Sequence, residues 1–102
     1  MKVFTQSVNF NADKELINFV EKKVGTLVKF HDKIVDAEVF LKVQKTSDKE
    51  NKITEIKINI PGNELIVKRE TKTFEEGVNT AVDNLKRQLK RSKEKLRDSM
   101  IS

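Results

Sequence analysis

Between Ile34 and Lys45 the side chains change type with a period of two. Val35, Ala37, Val39, Leu41 and Val43 fall on one face, and Asp36, Glu38, Lys42 and Gln44 on the other. Such alternation is the mark of a strand. One apolar and one charged face belong to a sheet covered on one side only. The rest of the chain must therefore supply further strands and a single covering layer. Phe40 is the exception on the polar face; it either packs across the open sheet face or its edge, or touches a protein partner.

Three further segments read as strands. Lys2 to Val8 alternates weakly, with Val3, Thr5 and Ser7 opposite Phe4, Gln6 and Val8. Ile53 to Ile60 places Ile56, Ile58 and Ile60 inward, after a polar loop from Thr46 to Lys52. Pro61-Gly62-Asn63 is a turn signal, and Glu64 to Glu70 follows with Leu65 and Val67 as core residues. The covering layer comes from two segments with 3.6-residue periodicity. The first runs from Lys14 to Lys29, capped by Asn11 or Asp13. Its stripe is Leu16, Val20, Val24 and Leu27, with Ile17 and Phe19 on the flanks. Lys23 falls inside that arc, while Lys22 and Lys29 lie on the opposite side. The second begins at a capping box, Thr73 with Glu76, and runs from Phe74 to Asp98. Phe74, Val78, Ala81, Val82, Leu85, Leu89 and Leu96 form its stripe, and Gly77 is its weak spot. At 1.5 Å per residue it is ~37 Å long, so its last turns project past a domain whose radius of gyration is about 13 Å. Residues 98–102 are expected to fray. Phe30-His31-Asp32-Lys33 reads as a surface loop between the first helix and the second strand.

The predicted order is β-α-β-β-β-α, in one domain over residues 1–102. The fold class is α+β, a two-layer sandwich with a four-stranded mixed sheet and both helices on one face. A right-handed crossover sets strands one and two parallel, and strands two to four form an antiparallel meander.

The charge is distributed unevenly. Residues 1–85 hold 14 basic and 14 acidic side chains, whereas residues 86–102 hold seven basic and two acidic ones, an excess equal to the whole net charge of +5. The seven are Lys86, Arg87, Lys90, Arg91, Lys93, Lys95 and Arg97. At 100° per residue, Lys86, Lys90, Lys93 and Arg97 cluster on one flank of the apolar stripe. Arg87, Arg91 and Lys95 form a second row reaching round to the other flank. Two cationic rows on one rod suit phosphate polyanions, and Lys22, Lys23 and Lys29 of the first helix can extend that surface. Tyr and Trp are absent and the six Phe are mostly claimed by core and strands. Recognition through backbone phosphates and RNA shape therefore fits better than base stacking. Without the first strand the order is that of double-stranded RNA-binding domains, which read the same features.

Other classes of function find little support. The absence of Cys removes thiolate metal sites and disulfides, and a single His leaves little for a metal site or catalytic dyad. His31 beside Asp32 lacks a nucleophile or oxyanion motif, and Gly25, Gly62 and Gly77 are isolated, so there is no phosphate loop. Glu75 and Glu76 suit the N-terminus of a helix. The expectation is a non-enzymatic monomer with no cofactor, no metal, no small-molecule substrate and no membrane partner. Without an apolar run near 18 residues or a signal-peptide core after Met1, it is expected in the cytoplasm.

Leu16 with Phe19-Val20, Asp32-Lys33-Ile34, Leu41-Lys42-Val43-Gln44-Lys45 and the segment from Phe74 to Leu96 together resemble the short ribosome hibernation promoting factors, including the ribosome-associated inhibitor A type. The resemblance spans essentially the whole chain. It implies binding to 16S rRNA of the small ribosomal subunit, between head and body, across the mRNA path and the A- and P-site tRNA positions. Translation is then blocked and idle ribosomes are preserved. It also implies that Lys23 faces the partner, that Lys42 and Lys45 contact rRNA, and that Lys86, Arg87, Lys90, Arg91, Lys93 and Lys95 belong to the family's basic helix. Long-form relatives carry a second domain that pairs ribosomes, for which 102 residues leave no space; the longer acidic tail of the inhibitor A type is missing as well. The short promoting type is thus the closer match. Related sequences described as modulators of an alternative sigma factor leave a second reading, a protein-binding adaptor acting on a transcription factor.

Overall fold

A computed structural model describes residues 1–45 and 51–101, with side chains as far as residue 92. The predicted loop from Thr46 to Lys52 falls largely outside the described residues. The elements are β1 (Lys2–Val8), α1 (Lys14–Gly25), a 3-10 turn (Thr26–Lys29), β2 (Asp36–Val43), β3 (Lys52–Ile60), β4 (Asn63–Thr71) and α2 (Phe74–Ile101). The sheet order is β1-β2-β3-β4. β1 pairs parallel with β2, Val3 opposite Ala37 and Ser7 opposite Leu41. β2 with β3 and β3 with β4 pair antiparallel. The α+β sandwich is the one the periodicities predict.

Local chemistry fixes the boundaries. Asp13 caps α1, its carboxylate accepting the Leu16 N–H at 2.8 Å. Thr73 Oγ1 accepts the Glu76 N–H at 3.2 Å, half of the predicted capping box. Ile60 pairs with Asn63 across Pro61-Gly62, and Gly62 has φ +78°, the left-handed value that a Pro-Gly turn requires of its second residue. The core between the layers is built from Val20 and Val24 below α1, Leu27 below the 3-10 turn, Val39, Leu41, Ile56 and Ile58 on the sheet, and Val78, Leu85 and Leu89 below α2.

Four expectations change. The first helix does not continue to Lys29 as α-helix; it ends at Gly25 and tightens into the 3-10 turn. Val35 does not join the apolar face: it is 60% exposed, and Ile34 is buried instead. Regular pleating begins only at Asp36, so alternation counted back into the entry of the strand gives the wrong side. The 31–33 loop is not wholly superficial. His31 is buried, and its Nδ1 accepts the Lys33 N–H at 3.1 Å. Finally, Gly77 is a close-packing site rather than a defect. A Cβ there would sit 2.5 Å from Thr54 Oγ1 and 2.9 Å from Thr71 Oγ1, so the missing side chain lets α2 settle on β3 and β4.

Candidate nucleic-acid interface

The two helices lie side by side on the sheet, and a groove of about 240 Å³ runs between them. Lys23, Thr26, Lys29 and Phe30 form one wall; Asn79, Val82, Asp83 and Lys86 form the other. On α2 this is the flank that the 100° step assigns to Lys86 and Lys90. On the first helix the placement of Lys29 depends on the 3-10 turn. An α-helix continued through Lys29 would point it away from the stripe. A 3-10 turn advances about 120° per residue instead of 100°, which over four residues swings Lys29 round to the groove. Thr26 Oγ1 donates back to the Lys23 carbonyl at 2.6 Å, tying the end of α1 to the turn.

Phe30 closes the turn, its N–H donating to the Leu27 carbonyl at 3.0 Å. Its ring carries two ammonium groups: Lys86 Nζ lies 4.7 Å and Lys90 Nζ 5.3 Å from the centroid. Lys23 Nζ stands 5.9 Å from the Phe19 centroid. Exposed contacts of this kind contribute about 0.5–1 kcal/mol each. Phe30 thus positions cations without neutralising them. The sequence marks it only as a loop aromatic, and its role appears once α2 lies alongside. Among the described residues, no groove lysine is within 4 Å of a carboxylate. Both ion pairs among the described residues belong to Lys57 on the opposite, open face of the sheet, with Glu38 at 3.5 Å and Glu64 at 3.2 Å. The Lys57 ammonium is held above its ordinary pKa, first by its hydrogen bond to Glu64 and then by attraction from Glu64 and Glu38.

The remaining sequence-predicted residues are dispersed. Lys22 is exposed on α1 but does not line the groove. Arg87 is exposed on the outer side of α2. Arg91 sits on the other flank, lining a recess with Asn63, Leu65, Gln88 and Ser92. Lys42 alternates with Leu41 and Val43 and so projects from the open face, away from the helices. Lys45 is exposed beyond the end of β2. The side chains of Lys93, Lys95 and Arg97 lie outside the described part of α2. Phe40 is half-buried on the open face, where it lines a recess with Phe4 and Glu38. No metal-binding cluster occurs among the described residues, and none of the described helices is long and apolar enough to cross a membrane.

Residues 3–97 match the family described as Sigma 54 modulation protein / S30EA ribosomal protein. The chain belongs to this family. A family relative named ribosome hibernation promoting factor, from Pseudomonas putida, is 30% identical over 95 residues, covering 93% of this chain and 89% of its own length. Two solved structures share the fold. A ribosomal subunit interface protein from Coxiella burnetii superposes with a TM-score of 0.80 at 19% identity, over 92% of this chain and 99% of that one. The N-terminal domain of Thermus thermophilus Protein Y superposes with a TM-score of 0.72 at 27% identity, over 88% and 93%. The family is the one that Leu16, Phe19-Val20, Leu41 to Lys45 and the Phe74–Leu96 segment resemble.

Proposed function

We propose that the chain is a non-enzymatic hibernation factor. In this reading it binds 16S rRNA of the small ribosomal subunit in the channel used by mRNA and tRNA, blocks translation and preserves idle ribosomes. The observation that carries this reading is the groove: Lys23, Lys29 and Lys86 line it and Lys90 stands beside it, with Phe19 near Lys23, Phe30 near Lys86 and Lys90, and no ion pair to these lysines among the described residues. Membership of a family described as Sigma 54 modulation protein / S30EA ribosomal protein, and similarity to a relative named ribosome hibernation promoting factor, support the ribosome as the partner. Phosphates fit such a surface because each one engaged releases condensed counterions. The free protein acts as a cytoplasmic monomer, in stationary phase or under stress, and Lys22, Lys42, Lys45, Arg87, Arg91, Lys93, Lys95 and Arg97 extend the contact beyond the groove.

Co-sedimentation with purified small subunits across a salt series tests this. With about six phosphates engaged, log K falls against log salt with a slope of roughly −4 to −5. The variant with Lys86, Arg87, Lys90 and Arg91 all changed to Glu keeps its circular dichroism spectrum and loses binding. A flat salt response, or full binding by the folded variant, overturns the reading. Nuclease treatment separates it from the adaptor alternative, since an rRNA contact disappears with the RNA whereas a protein contact persists.

A further inference from the structure

Asp83 is out of place in the groove. It shares the α2 wall with Asn79, one turn earlier, and Lys86, opposite Lys23 and Lys29. A surface meant only for phosphates gains nothing from a carboxylate there. The ordinary roles of such a residue are an i,i+4 pair with Arg87 or a bridge to a groove lysine. Neither is made: among the described residues, no ion pair within 4 Å involves Asp83. Lys86, the nearest cation along α2, leans on Phe30 instead.

An ionised carboxylate is purely an acceptor, with two oxygens side by side. In a cationic groove its complement is a neutral group with two adjacent N–H donors, carried by a polyanion. Among the nucleobases only guanine has this edge, N1–H beside the N2 amino group. Adenine and cytosine place a ring acceptor next to their amino group, and uracil flanks its single N–H with carbonyls. At about 240 Å³ the recess is smaller than the 300–1,000 Å³ typical of small-molecule sites. It suits one planar base, with the phosphates left on the lysines at its rim. We propose that the groove takes one unpaired guanine of an RNA strand, read on its Watson–Crick edge by Asp83. Asn79 is placed to donate to O6, and Lys23, Lys29 and Lys86 hold the flanking phosphates. This rests on the rRNA-binding reading and adds a base preference to it.

The test uses the full chain and fluorescein-labelled uridine hexamers carrying one central guanosine, inosine or adenosine, followed by anisotropy at low salt. Inosine keeps N1–H and O6 and lacks only the 2-amino group. The guanosine hexamer binds about five-fold or more tightly than the other two, the lower end of what a good bidentate base contact discriminates. Asp83→Asn, nearly isosteric and checked for an unchanged melting curve, brings the guanosine, inosine and adenosine hexamers to the same affinity. Hexamers that bind without preference, or no hexamer binding while the small subunit is still bound, overturn the guanine site and leave the rRNA reading standing. A preference that survives in Asp83→Asn overturns the assignment to this carboxylate. Loss of both hexamer and subunit binding brings down the rRNA reading and this inference with it.

Discussion

Gly77→Ala sets helix propensity against packing in a way the structure resolves. In an exposed helix the change stabilises by about 1 kcal/mol. Here the new Cβ would lie 2.5 Å from Thr54 Oγ1, 2.9 Å from Thr71 Oγ1 and 3.2 Å from Thr54 Cβ. Neither threonine yields easily. Thr54 is fully buried on β3, and its β-branched side chain is restricted at χ1. Thr71 Oγ1 donates to the Thr73 carbonyl at 2.7 Å, at the entry to α2. Overpacking costs about 1–3 kcal/mol, and losing the Thr71 hydrogen bond about 0.5–1.5 kcal/mol more. The propensity gain is outweighed, leaving a net destabilisation of about 0.5–3.5 kcal/mol. Urea denaturation reads it directly, and the melting temperature falls by roughly 2 °C or more. Thr54→Ala in the same chain removes the nearest obstructing atom, so the penalty of Gly77→Ala is smaller in that background than in the wild type. A Gly77→Ala protein as stable as the wild type, or a penalty that Thr54→Ala leaves unchanged, refutes the close approach of α2 to the sheet.

Phe30→Leu keeps an apolar side chain but removes the ring beneath Lys86 and Lys90. Two such contacts at about 0.5–1 kcal/mol each lower stability by roughly 1–2 kcal/mol in urea denaturation and weaken subunit binding; unchanged values in both assays contradict the positioning role. Lys57 gives a pH signature. Its folded pKa is raised above 10.5 by Glu64 and Glu38, so its contribution is fully present below about pH 10.5 and is lost as pH rises through the folded value. Lys57→Met is therefore less stable than wild type at neutral pH, and the gap closes in alkali. A gap that stays constant across that range shows that the pairs do not matter.

The sheet and helices were legible because their signals are periodic and local. The alternation through β2 and the stripes of α1 and α2 follow from burial on one face, and the Thr73 and Pro61-Gly62 punctuation follows from capping and turn chemistry. What was hidden arises where periodicity changes or where distant segments meet. Lys29 is assigned to the wrong side as long as the helix is counted at 100° per residue, because nothing in Gly25-Thr26-Leu27 announces the tighter turn. Val35 and Ile34 exchange roles at a strand entry, where alternation has no anchor. Gly77 reads as a weak helix former until Thr54 and Thr71, remote in sequence, are seen beneath it. Lys42 and Lys86 look alike as family lysines, yet the sheet lies between them.

Lys57 on the open face and the lysines at the groove are ordered by different partners, and that difference bears on function more than the total charge does. On the open face Lys57 is held between Glu38 and Glu64, and Asp36 accepts a hydrogen bond from Asn59 in the neighbouring strand. Cross-strand pairing there is stabilising because it cancels charge. In the groove the ordering partners are rings: Phe19 for Lys23, and Phe30 for Lys86 and Lys90. A ring restrains an ammonium group through its quadrupole and leaves the full charge in place. A carboxylate would restrain it as well, but a phosphate would then have to displace that carboxylate before binding. Cations ordered by aromatic side chains stay available to a polyanion at little entropic cost, which is why Phe30 matters to the surface as much as the lysines it carries.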